Sequence, residues 1–176
     1  WAPHEYTDIG LRNMRNWLSK GFSNITITPN SNIHSLLTKS AFLNLVNPFQ
    51  PFIIGQRNIA PKIALEHDIK FIMYGENQAE AHNHLNENST SLMDNKHFSS
   101  KQNTNIYLGG KSLKDWSLEG ISEKSLSHYI PIPEDKWLSF GGEVHYMSYF
   151  INWSPNNNHY FPTVCSNFAH IPNGRS

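Results

Sequence analysis

Two short runs of branched and aromatic residues, Ile25-Thr26-Ile27-Thr28 and Lys70-Phe71-Ile72-Met73-Tyr74, each end at a turn signal. Each also follows a stretch whose apolar residues recur at helical spacing. Helix and strand in alternation build an α/β protein, because parallel strands lying side by side need a crossover connection, usually a helix.

The helical stretches carry their own punctuation. Thr7 or Asp8 can cap a first helix by accepting from free N–H groups of the first turn. Ile9, Met14, Trp17 and Leu18 follow at helical spacing, and Gly21 closes the segment. The run 25–28 then reads as a buried strand stopped by Pro29-Asn30. A second helix is predicted from a cap near Ser31 through Ile33, Leu36, Leu37, Phe42 and Leu45, ending at Asn47-Pro48. Residues 48–57 are apolar but interrupted by Pro48, Pro51 and Gly55, which predicts a loop. A third helix runs from Pro61 to His67, and the second strand ends at Gly75-Glu76-Asn77. Two strands cannot close a sheet, so this reading requires further strands at one edge or both.

The second half is less regular. Residues 85–105 are polar and rich in Asn and Ser, which predicts an insertion or mobile loop. Leu113–Tyr129 is expected to hold two short helices separated near Gly120. Pro131 and Pro133 mark a connector, Glu143–Trp153 reads as a strand, and Asn156-Asn157-Asn158 as a turn. The expected organisation is an α/β part over 1–84, the polar insertion over 85–105, and a C-terminal part over 106–176.

Composition narrows the function classes. Fourteen basic and 14 acidic side chains balance, against the basic excess of nucleic-acid binders. Aromatics at 12% beside charged residues at 16% favour a folded chain. No apolar run approaches a membrane span. The single cysteine, Cys165, allows neither an intrachain disulfide nor a cysteine metal cluster, and fits a reducing, cytoplasmic setting. The opening at Trp1 and the close at Asn173-Gly174-Arg175-Ser176 suggest a segment of a longer protein.

Three apparent motifs carry little. Gly109-Gly110-Lys111-Ser112 imitates a phosphate loop, but Asn105 stands where the Walker pattern needs glycine, so a plain turn is expected. His82-Asn83-His84 lies in a polar stretch and reads as solvated histidines. Cys165 reads as a structural thiol. The stronger signal is Tyr74-Gly75-Glu76-Asn77-Gln78-Ala79-Glu80, just past the carboxyl end of a strand. Ligands of open α/β sheets bind there. Gly75 allows a sharp exit; Glu76, Asn77 and Glu80 supply two carboxylates and an amide. Such oxygen groups suit Mg²⁺ carrying a nucleotide phosphate, through Glu76 or Glu80, and equally suit the hydroxyls of a ligand or an ordinary polar turn that caps the strand. The apolar segment 48–57 reads as a pocket wall that presents Gln56 and Arg57 at its end.

Several of these stretches, taken in order, resemble one family. They are Thr7-Asp8-Ile9-Gly10 with Arg12-Asn13, Thr28-Pro29-Asn30, and Pro48-Phe49-Gln50-Pro51-Phe52-Ile53-Ile54-Gly55-Gln56. Tyr74-Gly75-Glu76-Asn77 with Glu80, Leu108-Gly109-Gly110, Gly142-Glu143-Val144-His145-Tyr146 and Asn152-Trp153-Ser154-Pro155 complete the series. Together they are similar to the N-acetyl sugar amidotransferases of the PP-loop ATP pyrophosphatase superfamily. The resemblance spans nearly the whole chain and thins over 85–105 and after Tyr160.

The resemblance implies that 1–84 is a partial PP-loop nucleotide-binding domain, built on a partial doubly wound parallel sheet of the HUP type like that of the adenine nucleotide alpha hydrolases. It also implies an ATP-dependent enzyme of bacterial surface-polysaccharide and lipopolysaccharide synthesis, one that turns the acetamido group of a nucleotide sugar into an acetamidino group. Ammonia would come from a separate glutaminase subunit working with a cyclase-like partner. Glu76, Asn77 and Glu80 would be the catalytic candidates. Gly75, Gln56, Arg57 and Lys62 would be nucleotide-binding candidates, and Glu143 and His145 substrate or acid–base candidates. The family's Ser-Gly-Gly-x-Asp-Ser loop is not in this sequence, and it belongs on the sheet's first strand, so this chain alone is expected not to catalyse. Pro48-Phe49-Gln50-Pro51-Phe52 stands where many relatives carry Pro-Cys-x-x-Cys, which argues against metal or sulfur chemistry there. Ala81-His82 replaces an expected aromatic-Gly pair. Alternatives are a tRNA-thiolase-like protein of the same superfamily, or a non-catalytic nucleotide- or sugar-binding module.

Overall fold

The computed structural model describes residues 1–2, 5–76, 89–101, 106–152 and 154–170. In chain order the elements are helices α1 (Asp8–Leu18), α2 (Ser31–Leu45) and α3 (Gln50–His67), then strands β1 (Phe71–Tyr74), β2 (Ser99–Ser100), β3 (Tyr107–Leu108) and β4 (Lys111–Ser112). Helix α4 (Leu113–Leu118), β5 (Ile132–Pro133), α5 (Glu134–Phe140), β6 (Glu143–Tyr146) and α6 (Pro155–Cys165) follow. The fold is mixed α/β with small parallel sheets. It divides into two compact units: Trp1 with Thr28–Phe150, and Ala2–Ile27 with the chain from Ile151 on.

In the larger unit, β1 pairs parallel with β6, Phe71 opposite Glu143 and Tyr74 opposite Tyr146. An antiparallel bridge between Leu92 and His145 lies on the other side of β6. Strands β2 and β5 form a second parallel pair. Strand alternation sends Val144 and Tyr146 of β6, with Ile72 and Tyr74 of β1, into a core of Met93, Phe98, Ile132 and Trp137. A second core gathers Leu37, Ile106, Leu108, Leu113, Trp116, Leu126 and Tyr129. The polar composition of 85–105 therefore conceals two core anchors, Met93 and Phe98.

The β3–β4 hairpin confirms the plain turn at Gly109-Gly110. Tyr107 faces Ser112, Leu108 faces Lys111, and both glycines between take positive φ, 60° and 80°. That is the backbone of a two-residue turn whose twist matches its strands. Ser40 Oγ and Asn44 Nδ2, both on α2, donate to the Gly109 carbonyl at 2.8 Å. The Gly109 N–H donates to Gln50 Oε1.

Helix α1 starts where expected, with Thr7 Oγ1 accepting from the Gly10 N–H. Helix α2 starts at Ser31, its cap Asn30 accepting from the N–H groups of Asn32 and Ile33. Five expectations are corrected. Residues 25–28 form no strand, and Ile25 is exposed. Within the smaller unit the Ile27 carbonyl accepts from the Ala2 N–H, so a β-branched run without a neighbouring strand stays an extended segment.

Residues 50–57 are helix rather than loop. Pro51 sits in the first turn of α3, where its missing N–H costs nothing. Gly55 lies beneath the indole of Trp1; a Cβ there would stand 2.6 Å from the ring. The breakers that suggested a loop are a helix start and a close approach.

The second helix expected before Tyr129 is a series of turns, with only α4 forming, under a capping box of Ser112 and Asp115. Residues 156–158 belong to α6, because Ser154 caps the helix and Pro155 begins it. The strand expected over 143–153 is confined to β6, after which Met147–Tyr149 turn as a short 3₁₀ helix.

In the smaller unit, Asn13 of α1 holds Ala169 by two hydrogen bonds, donating to its carbonyl and accepting from its N–H. No helix among the described residues is long and apolar enough to cross a membrane.

Candidate functional site

The carboxyl end of β1 is positioned by an unusual helix. Pro61 lies inside α3 and has no N–H to give the Arg57 carbonyl one turn earlier. The Tyr74 hydroxyl supplies the missing donor, 3.2 Å from the Arg57 oxygen and 3.3 Å from that of Gln56. The last residue of β1 is thus tied to the turn of α3 that bears Gln56 and Arg57. Burial above all, then the Glu76 carboxylate and Tyr146, keep the Tyr74 phenol protonated well above its ordinary range, while Arg57 opposes them. A carboxylate and a guanidinium therefore both act on one hydroxyl at the strand's end.

Gly75 follows without positive φ, and a Cβ there would meet no neighbour. The chain bends there, as a sharp exit from β1 requires, without drawing on the left-handed freedom of glycine. Glu76 is exposed. Asn77 and Glu80 lie outside the described residues, as do His82 and His84, so the structure brings together only part of the expected cluster.

Lys62, one turn along α3 from Asn58, points elsewhere. Its ammonium donates to the carbonyls of Ser127 and Ile130, while Asn58 Nδ2 donates to that of Tyr129 between them. The pair clamps the 127–130 turn to the helix. Burial draws Lys62 down to about 8. Burial, and then the Lys62 charge, lower His128 as well.

A consequence follows for stability. With lysine at 10.5 in the unfolded chain and about 8 in the folded one, the unfolded state binds more protons between those values. Stability should therefore rise as pH climbs from about 8 to 10.5. Urea midpoints across that window are expected to rise less in Lys62→Met; equal slopes in both proteins would refute the assignment.

Glu143 and His145 sit on β6, at a second location. Glu143 is level with Phe71, the opposite end of the pair from Tyr74, roughly 10 Å away at strand rise. His145 Nε2 is 3.0 Å from Glu143 Oε2, and its Nδ1 is 2.9 Å from Ser91 Oγ. Phe71 stacks on the imidazole, ring centroids 5.0 Å apart. The sequence reading missed Ser91, one serine among many in a polar stretch, and Tyr74 as a positioning residue. A proline inside an otherwise helical stretch was the available signal for the latter. Cys165 is exposed on α6.

Among the described residues no group of three metal-ligating side chains converges. Compared with known proteins, the chain matches no family model and no curated protein. The fold and site define a mixed α/β protein with a charged junction at the carboxyl end of one parallel strand.

Proposed function

We propose that this chain is part of an ATP-dependent amidotransferase. It would convert the acetamido group of a nucleotide sugar into an acetamidino group for bacterial surface polysaccharide, on a doubly wound sheet of the HUP type. The observation that carries the reading is the junction at β1, where Tyr74 ties the Gln56–Arg57 turn of α3 beside Glu76 at a parallel strand's carboxyl end. Ligand sites in α/β proteins favour that position.

The chemistry suits such a junction. An amide carbonyl is a poor electrophile, and its oxygen a poor leaving group. Transfer of AMP to that oxygen gives an imidate whose leaving group is a stable phosphate, with pyrophosphate released. Ammonia then adds and AMP departs. The protein's task is to align the substrates, offset phosphate charge and exclude water.

In this reading Arg57 meets a phosphate, and Glu76 orients substrate hydroxyls or the incoming amine. Lys62, engaged by two carbonyls, serves the scaffold in this reading. Glu76 fits as one carboxylate contact of Mg²⁺ arriving on the nucleotide, which would offset phosphate charge. Asn77 and Glu80 enter from the sequence pattern alone. The partners in this reading are the nucleotide sugar, a glutaminase and a cyclase-like ammonia-channelling subunit.

Protein expressed from the complete gene, given ATP, ammonia and UDP- or CMP-linked N-acetyl sugars, should yield AMP, pyrophosphate and a sugar whose mass shows oxygen replaced by NH. Glu76→Gln and Arg57→Ala should each lower kcat/KM by roughly 10-fold or more, with unchanged circular dichroism. Absence of the amidino product with every sugar, or full activity in both variants, overturns the proposal.

A further inference from the structure

We propose that Ser91, His145 and Glu143 form a nucleophilic triad that cleaves carboxylic esters, independently of the junction at the end of β1. The argument begins with hydrogen-bond roles. An ionised carboxylate only accepts, so the 3.0 Å contact with Glu143 Oε2 requires the proton of the imidazole on Nε2. In the neutral ring Nδ1 then carries the lone pair. That lone pair faces Ser91 Oγ at 2.9 Å, so the hydroxyl donates to it. Glu143 thus sets the tautomer, and His145 is the base aimed at the serine proton. The logic is that of a serine hydrolase with the two ring nitrogens exchanged.

Three further features suit catalysis. Phe71 stacks on one side of the imidazole and fixes its plane. The His145 side chain is only 13% exposed, whereas the Glu143 side chain is 63% exposed, so the base is shielded and the carboxylate stays solvated. Phe150 also lies near the imidazole, ring centroids 6.1 Å apart, so the base sits beside two aromatic side chains. Apolar surroundings of this kind favour an ester with an apolar acyl or alcohol part.

The reaction balances without a co-reactant other than water. Ser91 Oγ bonds to the ester carbonyl carbon as its proton passes to His145 Nδ1. The bond to the alcohol oxygen breaks, and the alcohol leaves with that proton. Water then adds to the acyl carbon, giving a proton to Nδ1. The bond to Ser91 breaks and the serine is reprotonated, leaving a carboxylic acid.

The intact protein should react with a fluorophosphonate probe, and peptide mass spectrometry should place the adduct on Ser91. Labelling and p-nitrophenyl butyrate hydrolysis should fall roughly 100-fold or more in His145→Gln, and be abolished in Ser91→Ala. In Ser91→Cys, alkylation by iodoacetamide should follow a pH profile that changes when His145→Gln is added, a readout independent of ester turnover. An adduct elsewhere, no adduct, or labelling indifferent to His145→Gln overturns the proposal. Loss of the amidotransferase activity alone would leave these results unchanged, so the two readings fail separately.

Discussion

Replacing Gly110 with alanine is expected to lower the unfolding free energy by about 2–3 kcal/mol. Gly110 has φ of 80°, in the left-handed region, which costs an L-residue on the order of 1–2 kcal/mol. A Cβ at this position would stand 2.6 Å from Asn44 Cβ. Asn44 cannot retreat without giving up its 2.8 Å hydrogen bond to the Gly109 carbonyl, a further loss of about 1 kcal/mol. Two-state urea melts of both proteins measure the difference. A variant within about 0.5 kcal/mol of the parent would show that the hairpin is not held in this turn.

The second expected result is a coupling. Tyr74→Phe removes the donor that replaces the missing Pro61 N–H, so the Arg57 carbonyl loses its hydroxyl partner at 3.2 Å. A cost of about 1–2 kcal/mol is expected. Pro61→Ala restores a backbone N–H to that carbonyl while loosening the unfolded chain and thinning a buried position, so by itself it is destabilising. In the Pro61→Ala background, however, Tyr74→Phe should cost little, because the carbonyl has regained a helical partner. The double-mutant cycle isolates this term from the other effects of either change. Equal costs of Tyr74→Phe in both backgrounds would mean that the hydroxyl does not complete the helix. The same coupling bears on function, since this bond ties the Arg57 backbone to the end of β1.

Some of the candidate site was legible because its signals are local. Tyr74-Gly75-Glu76 announced the end of a strand, and β1 stops there. Glu143 and His145, two apart on a strand, share one side of it, as alternation requires. Ser91 was not legible, because its partnership with His145 crosses 54 positions. Nor was the α3 start: Pro51 and Gly55 break helices in general, and only the first-turn position of one and the indole over the other reverse that reading.

By itself the sequence determined what depends on neighbours within a few residues: the caps of α1 and α2, the extent of β1 and the two-glycine turn. Each answers a backbone hydrogen-bonding need that a nearby side chain or a permitted φ can meet. Only the tertiary structure decided that β1 pairs with β6 while residues 25–28 pair with no strand, and that a tyrosine hydroxyl completes α3. It also decided that a serine from a polar stretch meets a strand histidine. Those outcomes turn on which distant group reaches an unsatisfied donor, acceptor or sheet edge first, and no local pattern records that.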